Sequence, residues 1–178
     1  QVIRAGRKKW VIGQIAGIFI RSSVIMVLSA LTAVLPFLGN LEITNRWGKV
    51  IYTLASESKL TSEFYLKNAL EFSFIYEILE KFTPLQLMGI TLLLGTLICT
   101  FLGVMMFALS LFAGKLVSAT GGFTFVLLLF FVQNAWADCR RLLAHFIPAY
   151  WGEVALMATP VDGYYRLPSL TYMFTVLI

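Results

Sequence analysis

The sequence predicts an all-α fold: a polytopic transmembrane helix bundle with amphipathic helices at its outer face. Three observations carry that expectation. First, 59% of the 178 residues are hydrophobic, only 13% are charged, and the mean hydropathy is +0.84. Ordinary soluble domains carry roughly 45–50% apolar and about 25% charged residues, so a globule of this size has too few charges to cover its apolar surface, and lipid is the expected solvent. Second, the apolar residues gather into runs approaching the roughly 20 residues that cross a hydrocarbon core of about 30 Å. Third, all four tryptophans (Trp10, Trp47, Trp136 and Trp151) fall at or beyond the ends of those runs, where interfacial aromatic belts lie.

The chain opens with a basic leader, residues 1–21, in which Arg4, Arg7, Lys8 and Lys9 precede Trp10 and a half-apolar stretch. Excess Lys and Arg beside a span stays cytoplasmic, so this end is expected inside. The leader is expected to lie obliquely in the inner interface. Arg21 would then sit about one turn below the first span, residues 22–39 ("SSVIMVLSALTAVLPFLG"), with its guanidinium snorkelling to headgroups as an anchor. A functional intramembrane charge is the other reading of Arg21.

Residues 40–84 follow outside, with five cations against six carboxylates. Within them Leu60 to Lys81 has apolar residues at helical spacing and two acid-first i,i+4 pairs, Glu63–Lys67 and Glu77–Lys81, the pattern of an amphipathic helix. The second span is residues 85–112, a short cytoplasmic turn around Lys115 occupies 113–119, and the third span is 120–136. Residues 137–167 return outside as short helices broken at Pro148, and 168–178 begin a further span. The chain starts at Gln1 without an initiator Met and stops inside the apolar "MFTVLI", so a longer polypeptide with more spans is expected.

Motifs exclude more chemistry than they supply. "SLFAGKL" contains Gly114-Lys115, but a Walker loop needs Gly at 109 and Ser or Thr at 116, where Leu109 and Leu116 stand. His145 is the only histidine, HExxH and GxSxG are absent, and Cys99 and Cys139 form no CxxC pair. No catalytic residue, metal ligand or cofactor site is therefore expected in this chain. The spans hold no Asp, Glu or His, which weighs against a proton-coupled carrier or an intramembrane protease. The net charge of +5 is concentrated in the leader and forms no basic face, so nucleic acid is not an expected partner. Arg140 and Arg141, with Asp138 and Glu153, are expected to pair locally, with contact to an outer ligand as the alternative. Gly13 and Gly17, and Gly95 and Gly103, are spaced to permit close helix packing.

The layout resembles the membrane subunit of ABC-2-type ABC transporters. The resemblance lies in a basic segment entering a long helix ("RAGRKKWVIGQIAGIFIRSS") and in two closely joined spans ("GITLLLGTLICTFLGVMMFALSLFAGKLVSATGGFTFVLLLFFV"). It continues in an outer pair of short helices ("ADCRRLLAHFIPAYWGEVALMA") and a segment entering a last span ("YYRLPSLTYMFTVLI"). It implies a permease subunit of an ATP-driven exporter in a bacterial plasma membrane, with a second permease subunit, the lipid bilayer and a separate ATPase subunit as partners. ATP and Mg would be bound only by that ATPase. Arg4, Arg7, Lys8, Lys9 and Trp10 would form the coupling surface. A non-transporting scaffold or immunity-type protein, binding partners through its outer helices, is the alternative.

Overall fold

A glycine within the basic leader lets the first helix begin. Gly6 takes φ 76°, a left-handed conformation that costs glycine little, and Trp10 N–H closes the first turn on its carbonyl at 3.1 Å. Helix α1 then runs unbroken over Arg7–Val34, 28 residues and about 42 Å. Hydroxyls inside it turn back on their own helix, Ser23 Oγ donating to Phe19 O at 2.9 Å and Thr32 Oγ1 to Leu28 O at 2.7 Å. That is how polar side chains satisfy themselves where water is scarce. A 3₁₀ turn, Leu35–Asn40, ends the run. The structure, a computed structural model, describes residues 6–40, 44–53, 76–154, 160–161, 164–165 and 167–178.

The described parts of the expected leader (1–21) and first span (22–39) are carried by one continuous helix, Arg7–Val34, and the 3₁₀ turn after it. Most of the expected amphipathic helix Leu60–Lys81 lies outside the described residues; its end forms helix α2, Tyr76–Lys81. Residues 49–53 are also helical.

Helix α3, Pro84–Asn134, starts from a complete capping box. Thr83 Oγ1 accepts from Gln86 N, Gln86 Oε1 accepts from Thr83 N at 3.1 Å, and proline occupies the first turn, where its missing N–H costs nothing. As a straight rod its 51 residues would run about 77 Å. They do not, because Gly114 leaves the helical region with φ 87° and ψ 172° and the chain doubles back. The arms 84–113 and 115–134 lie antiparallel: Ser118 Oγ donates to Met106 O at 2.6 Å, and the Phe101 and Phe125 rings sit 5.9 Å apart. Gly122 admits the close approach, since a Cβ there would come within 2.8 Å of Met106 Sδ.

Helix α1 packs antiparallel along the first arm. Trp10 meets Phe107 with ring centroids 5.7 Å apart, Ile18 lies over Gly103 and Met26 over Gly95. The start of α1 and the tip of the α3 hairpin therefore share one end of the molecule.

At the opposite end the chain leaves α3 into helix α4 (Ala137–Phe146), a 3₁₀ turn (Pro148–Gly152), a two-residue antiparallel pairing of β1 (Pro160–Val161) with β2 (Tyr164–Tyr165), and helix α5 (Leu170–Leu177). The described residues are otherwise helical or irregular. One core cluster ties this end together: Leu94, Ile98 and Val132 of the hairpin with Ala144, Ile147, Tyr150, Trp151, Val154, Leu167 and Met173.

Two helices, α1 and α3, are long and apolar enough to cross a membrane. Only 6% and 11% of their most apolar windows are buried, whereas the core helix of a soluble domain would be mostly covered. Leu28, Leu31, Phe123, Phe130 and Phe131 all face outward. An exposed apolar exterior of this kind marks a membrane or protein interaction surface.

Candidate functional site

The basic end is built by two segments distant in sequence. Arg7, Lys8 and Lys9 are exposed on the first turn of α1, and Arg4 lies outside the described residues. Lys115 is exposed beside Gly114 at the hairpin tip, between Phe112 (91% exposed) and Leu116 (79% exposed). No described acidic side chain lies at this end: Glu80 follows the outer segment and Glu153 follows the Pro148 turn. Trp10 is half-buried, with its ring packed on Phe107 at 5.7 Å.

At the opposite end several polar groups find partners within the chain. Trp47 Nε1 donates to Phe82 O at 2.8 Å, pinning the outer segment to the residue just before the α3 cap. Arg140 Nη2 donates to Gln133 O at 2.9 Å and Ala135 O at 3.0 Å. A cation thus covers the open carbonyls and negative dipole end of α3. Its Nε is buried without a partner. Gln133 Nε2 donates to Glu153 Oε1, so Glu153 engages an amide. Arg140 thus engages backbone carbonyls and Glu153 an amide, rather than the ion pair expected between them; the side chains of Asp138 and Arg141 lie outside the described residues.

Trp151 overturns its expected role as an interfacial anchor. It is fully buried, its Nε1 donates to Ala144 O at 2.6 Å, and its ring packs edge-on against Tyr172 at 5.9 Å. The reason is the Pro148 turn, which folds Tyr150 and Trp151 onto Leu94 and Val132. Of the other expected anchors, Trp136 is 87% exposed at the end of α3 and Trp47 is half-buried. His145 packs edge-on to Tyr172, whose hydroxyl donates to the His145 carbonyl at 3.2 Å.

The glycines divide. Gly95 and Gly103 carry the α1 contact, while a Cβ at Gly13 or Gly17 would meet nothing within 4 Å. The first pair packs helices within the chain; the second lies on an open face.

Arg21 stands midway along α1 rather than at an end. With Ile18 over Gly103 and Met26 over Gly95, it is level with the Phe101–Phe125 pair at the middle of the hairpin. It is exposed.

Among the described residues no group of three or more His, Cys, Asp or Glu is placed to hold a metal. Cys99 and Cys139 are unpaired, the first half-buried and the second exposed. An open groove beside Leu170, Phe174 and Ile178 is nearly all apolar, without the converging polar groups that orient a small ligand. Sequence reasoning missed Phe112, Leu116, Ser118 and Gly122; the only available signal was a Gly-Lys step between two apolar runs. The chain matches no known protein family, no curated protein and no solved structure.

Proposed function

We propose that the chain is a multi-pass plasma-membrane permease subunit of an ATP-driven exporter, in which α1 and both arms of α3 cross the bilayer and a separate ATPase supplies the energy. The observation that carries this reading is the basic end. Arg7, Lys8, Lys9 and Lys115 converge there from two segments, and the positive-inside rule sets that end in the cytoplasm. There the hairpin tip offers Phe112 and Leu116 beside Lys115, an apolar and cationic surface suited to a cytoplasmic partner. The opposite end, with its folded turn and capped helix, then faces outward.

The chain carries no Walker loop, so ATP hydrolysis falls to the partner. Isolation of the protein from its own membranes in mild detergent tests this. The expected result is a complex containing a Walker-loop ATPase whose turnover is inhibited by vanadate and falls on Lys115→Glu. A stable complex holding only non-ATPase partners overturns the reading in favour of a scaffold.

A further inference from the structure

We infer that the flank of α1 carrying Gln14, Gly17 and Arg21 docks a partner transmembrane helix that brings a carboxylate to Arg21 at mid-depth. This rests on the membrane-embedded reading of α1 and α3, but not on the exporter reading.

The depth follows from the packing register. Arg21 is 11 positions from Trp10, where α1 meets the basic end, and 13 from Val34, hence about 16 Å and 20 Å from the two ends. An extended arginine reaches roughly 7 Å by its bond lengths, and helical side chains lean toward the N-terminus. Snorkelling toward the basic end therefore leaves the guanidinium short of the headgroups. A charged side chain at the centre of a span costs about 2.5–3.5 kcal/mol on insertion scales, and such residues pair with one another or line polar cavities.

None of the described residues pairs with it. Arg21 has no hydrogen bond or ion pair among the described residues, and residues 22–39, 85–112 and 120–136 contain no Asp or Glu anywhere. A second copy docking through the same face would bring two arginines together. The required occupant is thus an apolar helix with its own carboxylate. Gln14, Gly17 and Arg21 stand at i, i+3 and i+7, on one stripe beside the α3 contact. Gly17 has open space where its Cβ would point, which lets a second backbone come close.

The test is a photo-crosslinking experiment in native membranes, with benzoylphenylalanine at Gln14 and, as a lipid-facing control, at Ile20. The expected product from position 14, absent from position 20, is an apolar helix with Asp or Glu at mid-depth. Its yield should fall about tenfold in Arg21→Leu, the effect of losing one interhelical polar contact of 1–2 kcal/mol, and persist in Arg21→Lys. With Arg21→Glu, changing the partner's acid to Lys should restore it. Crosslinks only to lipid, to a second copy of this chain, or to a helix without a carboxylate would overturn the inference, as would a yield indifferent to Arg21→Leu. If the yield is indifferent while the ATPase still co-purifies, this inference fails alone. Extraction of the chain without detergent would remove both.

Discussion

The two ends of the helical core differ in how far contacts within the chain close them. At the Trp151 end Trp47 finds a partner in Phe82, Arg140 Nη2 in the α3 terminus, Trp151 in Ala144 and Gln133 in Glu153, while Arg140 Nε is left without one. At the Gly114 end, cations gather without described acids, and Phe112 and Leu116 stand uncovered. One end is closed on itself and contributes stability. The other presents an exposed cationic and apolar surface.

Moving charge between the ends should have the largest effect, because orientation is decided by Lys and Arg flanking the spans. Replacing Arg7, Lys8, Lys9 and Lys115 with Gln is expected to invert or scramble insertion. Cys139 reports this directly: exposed on α4, it should react with a membrane-impermeant maleimide in intact cells carrying the native chain, with Cys99 protected, and lose that reactivity in the variant. A Cys139 protected in the native chain would break the comparison at its root.

Next in size is the closed end. Trp151→Ala removes a fully buried ring and leaves the Ala144 carbonyl unpaired, so a loss of about 3 kcal/mol is expected, read as a lower unfolding temperature in detergent. Lys115→Ala at the open end should leave that temperature unchanged. Equal effects from the two variants would erase the distinction between the ends.

The smallest effect lies between them. A Cβ at Gly103 would come within 2.5 Å of Ile18 Cγ2, a branched side chain with few rotamers. At Gly95 it would meet the terminal methyl of Met26, which can swing aside. Gly103→Ala should therefore destabilise by about 1–2 kcal/mol and Gly95→Ala by less, measured by thermal unfolding. Gly13→Ala and Gly17→Ala should leave the isolated chain unaffected.

Much of this architecture was legible from composition and order alone. The apolar excess marks runs long enough to cross a membrane, and Gly114-Lys115 between two of them marks the reversal. These are local or summed properties, so each stretch of chain reveals them unaided. The identity of neighbours is not such a property. Glycine spacing on one helix face says only that close approach is permitted, so Gly13 and Gly17 read the same as Gly95 and Gly103, although only the second pair meets another helix here.

Trp151 illustrates the same limit: its position after an apolar run suggests an anchor, and the Pro148 turn makes it core. Arg21 is the third case. In sequence it borders a leader and a span; in the fold those are one helix, and its register against Gly95 and Gly103 sets it at mid-height. The sequence by itself determined the long apolar helices and the asymmetry of charge, because these are sums over neighbouring residues. The tertiary structure decided which glycines bear contacts, which tryptophan is buried and how deep the lone arginine stands, because those depend on pairings between segments up to about a hundred residues apart, closed in three dimensions.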